Sequence, residues 1–160
     1  MSAYNRAMAI VELEELKTRL PREGRLMALD VGSKTIGVAT SDVLRSLATP
    51  LVTLKRSKLA IDLAALAELA AKHGAKALVV GLPLNMDGSE GASARLARGF
   101  ALRMEAEVGV PVELFDERLS TFEAESRLRA RGLSTREMRK VVDAEAAAVI
   151  LQGWLDRRSA

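Results

Sequence analysis

The apolar positions of this chain come in blocks, and the period changes from block to block. In residues 7–20, AMAIVELEELKTRL, the residues Ile10, Leu13, Leu16 and Leu20 recur at helical spacing, and Pro21 and Gly24 then stop the pattern. From there the blocks shorten. LMALD (26–30), TIGVATS (35–41) and TPLVTLK (49–55) are strand-length, and the few residues between the first two predict a tight hairpin. LAIDLAALAELAAKHG (59–74) returns to helical spacing, with Gly74 placed to end the helix. ALVVGLP (77–83) is continuously apolar, as strands buried on both faces are.

The loop LNMDGSEG (84–91), a helix from about Ser93 to Val108 and a fifth strand in PVELFDE (111–117) follow. Ser120 with Glu123, and Ser134 with Glu137, each have the spacing of a helix-starting capping box. A nearly all-apolar helix from Asp143 to Asp156 closes the pattern and belongs in the core. Three strands, then helix, strand, helix, strand and helices, predict an α/β fold with a mixed sheet. The expected organisation is an N-terminal helical extension over residues 1–24 and one domain over 25–158.

Composition narrows the chemistry. The 160 residues suffice for one domain with a real core. There are no cysteines, which excludes disulfides, thiolate metal sites and cysteine nucleophiles. Aromatic residues are only 3%, too few for a model built on stacking bases. The net charge of +3 is compatible with nucleic acid without requiring it. No apolar run is long enough to span a membrane and no secretory pattern opens the chain, so the expected location is cytoplasmic.

Three acidic positions stand where apolar structure stops: Asp30, the pair Asp116 and Glu117, and Asp143. Ligands in open α/β sheets gather at the carboxyl ends of parallel strands. Crowded carboxylates repel one another, and hard divalent cations such as Mg²⁺ or Mn²⁺ relieve that repulsion. Two such ions about 4 Å apart can activate a water and stabilise the leaving oxygen of a phosphodiester. Asp30, Glu117 and Asp143 form a candidate set, with the longer Glu117 preferred to Asp116 for reach. Each also has a simpler explanation. Asp30 could be a turn residue, Glu117 an ion-pair partner of Arg118, and Asp143 a residue favoured by the dipole at a helix start.

Four blocks in order, LDVGSKTIGVATSD, VVGLPLNMDGSEG, FDERLST and VDAEAAAVILQGWL, resemble the motifs of the YqgF/RuvX family, which is similar to the RuvC Holliday junction resolvases. The resemblance runs from about Leu26 to Leu155. It implies an RNase H-like fold with five strands in the order 3-2-1-4-5, flanked by helices. It implies divalent-metal catalysis by Asp30, Glu117 and Asp143, with Asp30 shared between two ions. It also implies nuclease activity on structured nucleic acid: 5′-end maturation of pre-16S rRNA in ribosome biogenesis, or resolution of Holliday junctions in DNA recombination.

Expected substrate contacts are Lys34 and Thr35 in the hairpin, Asn85 in the loop after the fourth strand, Arg118, and the basic stretch that includes Arg136, Arg139 and Lys140. A solvated loop or exposed helix face is the plain alternative for each. Junction resolution would need a homodimer, for which the N-terminal helix is a candidate interface. Two other functions compete. The D-x-G-x-x-x-x-G hairpin also serves ATPases, but those need two such domains, and one is present here. A non-catalytic RNA-binding assembly factor is the other, and the presence of all three carboxylates argues against it.

Overall fold

A computed structural model describes residues 20–116 and 135–159, with side chains described as far as Asp156 in the last helix. Five strands form one mixed sheet: β1 (Met27–Val31), β2 (Thr35–Ser41), β3 (Ala48–Lys55), β4 (Leu78–Leu82) and β5 (Val112–Asp116), in the order β3-β2-β1-β4-β5. β1 and β2 are antiparallel, as are β2 and β3, while β1, β4 and β5 run parallel. The carboxyl ends of β1, β4 and β5 therefore share one edge. Pro50 falls in β3, at the sheet margin, where a missing N–H is tolerated.

Three helices are described: α1 (Leu59–Lys72), α2 (Ala92–Val108) and α3 (Thr135–Ser159). α1 ends at His73, and Gly74 follows with φ of 63°, the left-handed turn expected there. The predicted N-terminal helix lies outside the described residues, except that Leu20 packs against the core. The helix expected after Ser120 also lies outside them.

Strand alternation divides the core into two layers. On one face, Met27, Leu29, Ile36, Val38, Leu78 and Val80 pack with α1 and α2 residues such as Leu66, Phe100 and Met104. On the other, Ala28, Ala39, Ala77 and Val79 meet Ala147, Ile150, Leu151 and Trp154 of α3. This second face is built from small residues, which let α3 lie close to the sheet. Trp154 is fully buried, and its indole N–H donates to the buried Glu113 carboxylate of β5.

One expectation is corrected. The final helix does not begin at Asp143 but continues from Thr135 without a break, which puts Asp143 more than two turns inside it. TREMRK contains good helix formers and no glycine or proline, so nothing in it interrupts the helix ahead of the apolar block. The dipole at a helix start therefore does not account for Asp143.

Candidate active site

Asp30, the fourth residue of β1, is the first candidate side chain at the carboxyl edge of the sheet. Its neighbours Leu29 and Val31 face the α1/α2 layer, so alternation turns Asp30 toward α3. Directly across the β1–β2 ladder is Gly37. A side chain there is impossible without movement: a Cβ on Gly37 would lie 1.9 Å from the Asp143 carbonyl oxygen and 2.2 Å from its carbon. The missing side chain is the gap through which the α3 backbone reaches β2, and Asp143 arrives beside Asp30 as a result.

Asp30 senses the carboxylate of Asp143. Burial first, and the Asp143 charge second, raise the Asp30 carboxyl from its ordinary 3.8 to about 6. Asp143 is held from the side, because the Thr35 hydroxyl donates to its Oδ2. Thr35 is thus engaged with a carboxylate, and holding Asp143 is the role its contacts support. Lys34, one residue earlier, is exposed at the hairpin tip.

The hairpin is fastened to the layer below it. Gly32 N–H donates to the Thr35 carbonyl at 2.9 Å, closing the turn. Arg56 donates from NH1 to the Gly32 carbonyl at 2.8 Å and from Nε to Asp62 at 2.9 Å, and its guanidinium lies 5.4 Å from the Phe100 ring centroid. Asp62 in turn accepts from the Ser57 N–H at 3.0 Å. This brace has no local sequence signal, because its parts come from a hairpin, a loop and two helices. Gly37 did carry one: an isolated glycine inside an apolar strand marks a close backbone approach.

Asn85 is exposed in the loop beyond β4, and its amide nitrogen donates to Ser89 Oγ at 2.9 Å. Its backbone N–H donates to the Ser89 carbonyl at 2.9 Å, so the residue organises its own loop beyond the carboxyl end of β4. Asp42 lies at the other end of the sheet. It accepts from Ser46 N–H, Ser46 hydroxyl and Leu47 N–H, and these donors, Leu47 foremost and the Ser46 hydroxyl next, hold its carboxyl down at about 2.

Glu117 and Arg118 lie outside the described residues, immediately after Asp116 at the end of β5. Asp116 itself is exposed and pairs in register with Leu82. Arg136, Arg139 and Lys140 belong to the first turns of α3, and their side chains are outside the described set. Among the described residues no cluster of three or more metal-ligating side chains occurs, so the described part of the site is the pair Asp30 and Asp143. That pair is all hard oxygen, the donor type that suits Mg²⁺ or Mn²⁺.

Comparison with known proteins agrees with this geometry. Residues 24–157 match the RuvX family, described as Holliday junction resolvase. A protein of Anaeromyxobacter dehalogenans named "Putative pre-16S rRNA nuclease" is 64% identical over 135 residues, covering 84% of this chain and 98% of that protein. A protein of the same name from Moorella thermoacetica is 55% identical over 133 residues, covering 83% and 95%. Among solved structures, Thermus thermophilus RuvC in complex with a Holliday junction substrate aligns with a TM-score of 0.57 at 19% identity, over 85% of this chain and 96% of that one. The strand order and this likeness identify the fold as RNase H-like. With the family match spanning most of its length and relatives at this identity, the chain belongs to the RuvX family.

Proposed function

We propose that this protein is a metal-dependent nuclease that hydrolyses phosphodiester bonds in structured nucleic acid, and that its substrate is the 5′ region of pre-16S rRNA. The observation that carries the reading is the convergence of Asp30 and Asp143 at the carboxyl edge of the sheet, made possible by Gly37. The curated relatives' name supports the RNA substrate.

Asp30, Glu117 and Asp143 would hold the divalent metal, Mg²⁺ or Mn²⁺, as two ions. When bound, the metal supplies positive charge against the phosphoryl oxygens and lowers the pKa of the attacking water. The protein's own part is positional. Thr35 holds Asp143 by its Oδ2. Arg56 fixes the hairpin that follows Asp30 through the Gly32 carbonyl. Lys34, Asn85, Arg118, Arg136, Arg139 and Lys140 are the proposed phosphate contacts along this edge. Burial raises the Asp30 carboxyl to about 6, so it is largely ionised at neutral pH and a bound cation would offset the cost of that buried charge.

The family description favours a second reading, a Holliday junction resolvase, an activity for which we propose a homodimer. Either activity implies a cytoplasmic protein, and no described helix is long and apolar enough to cross a membrane. One cleavage panel in Mn²⁺ separates the readings: single-stranded RNA, a precursor-rRNA fragment and a four-way DNA junction, each with wild type and Asp30→Asn. Cleavage of the precursor that Asp30→Asn abolishes is the expected result. Junction cleavage alone would establish the resolvase, and binding without cleavage under any metal would leave an assembly factor.

A further inference from the structure

On the opposite face of the sheet from α3, the groove between α1 and α2 holds a cavity of about 420 Å³. Three arginines border it: Arg56, Arg95 and Arg103. Its floor is apolar, from Leu59, Leu96 and Phe100. Among the described residues no carboxylate lines it. Asp62 is committed to Arg56, and the Glu90 carboxylate to Arg98 at 2.6 Å. Arg95 donates to the Glu90 carbonyl at 3.3 Å and its charge also helps to lower the Glu90 carboxyl, while among the described residues no carboxylate forms an ion pair with Arg95 or Arg103. Gly99, between these two on α2, faces open space.

The groove starts where the catalytic edge ends. Arg56 bonds the carbonyl of Gly32, two residues beyond Asp30, and Arg95 stands in the first turn of α2, which follows the loop after β4. Arg95 and Arg103 are eight residues apart on one helix, hence roughly 12 Å along its axis. A single phosphate cannot bridge that distance, but successive phosphates of one strand can. Guanidinium forks match phosphate geometry, and the apolar floor between them suits a base or sugar edge.

We infer that the α1/α2 groove is a second nucleic-acid subsite, in which Arg95 and Arg103 hold the phosphates of a substrate strand that has passed over the hairpin from the catalytic edge. The inference rests on the nuclease reading for the identity of the polyanion.

The test is equilibrium binding of the full chain to a fluorescent precursor-rRNA fragment and to a four-way DNA junction, between 50 and 200 mM salt. Arg95→Ala/Arg103→Ala is expected to weaken binding about 10-fold at mid-range salt. It should also flatten the slope of log affinity against log salt by roughly 1.4–1.8, two phosphates' worth. Lysine at both positions should restore the slope. Gly99→Leu fills the open space without altering charge and should also weaken binding, with thermal melting confirming that both variants fold. Wild-type affinity and slope in the double variant and in Gly99→Leu would overturn the inference. Wild-type cleavage is measured in parallel. Cleavage with unaltered binding in the variants defeats the groove and leaves the nuclease standing. Loss of binding in the variants with no wild-type cleavage under any metal defeats the nuclease reading and retains the groove.

Discussion

Gly37→Ala is the sharpest test of how the site is built. The added Cβ would lie 1.9 Å from the Asp143 carbonyl oxygen and 2.8 Å from the Ala144 nitrogen, whereas ordinary contact begins near 3.4 Å. The obstacle is backbone in the middle of a 25-residue helix, so no rotamer change can relieve it. The helix must retreat by about 1.5 Å at Asp143. Overpacking of this kind costs about 1–3 kcal/mol, and a rigid obstacle favours the upper end. Removing a glycine's unfolded-state freedom returns roughly 0.5–1 kcal/mol. A net loss of about 2 kcal/mol should lower Tm by roughly 4–8 °C for a chain of this size. The same retreat pulls Asp143 away from Asp30 and from the Thr35 hydroxyl, and displacements near 1 Å can cost about 100-fold in rate. Thermal melting and Mn²⁺-dependent cleavage read the two effects. Gly99→Ala, whose Cβ meets nothing within 4 Å, is the control and should be stabilised by up to about 1 kcal/mol. A Gly37→Ala protein with wild-type Tm and activity would show that α3 does not depend on this gap.

Three further outcomes follow from the same site. Because the folded-state carboxyl of Asp30 is raised to about 6, the metal-free fold binds this proton more tightly than the unfolded chain does. Its ionisation therefore destabilises the fold as pH rises from about 4 to 6, by about 3 kcal/mol when complete. Asp30→Asn should accordingly raise Tm at pH 7–8 in EDTA and lose that advantage near pH 4; a variant less stable than wild type at pH 8 would contradict the assignment of burial as the cause. Thr35→Val removes the donor to Asp143 and should reduce cleavage by about 10–100-fold, with Thr35→Ser retaining most of it, as measured by initial rates across a Mn²⁺ titration. Arg56→Ala leaves the buried Asp62 without its cation and frees the Gly32 carbonyl, and urea unfolding should show a loss of about 3 kcal/mol.

Local pattern was sufficient for all five strands and for α1 and α2, because each is a short block whose period and terminators lie within it. LMALD and TIGVATS became β1 and β2 with the hairpin between them, and ALVVGLP became the central parallel strand β4. The candidate carboxylates were legible too, since a charge at the end of an apolar run departs from the pattern around it. At α3 the apolar block placed the helix start too late, at Asp143, whereas the Ser134/Glu137 capping box had marked a start beside Thr135, where the helix begins. Motif order, rather than spacing, carried the likeness to the RuvX family.

What the chain alone could not decide is which groups meet. Asp30 and Asp143 are more than a hundred residues apart, and their meeting depends on a vacancy at Gly37, on α3 lying against an alanine-rich sheet face, and on Thr35 turning its hydroxyl to a carboxylate. The Arg56 brace is likewise assembled from four separate segments. Sequence period is a one-dimensional signal and determines the elements and the residues they expose at their ends. Close approach between elements depends on volumes and register summed across the whole fold, so the shape of the site was decided only in three dimensions.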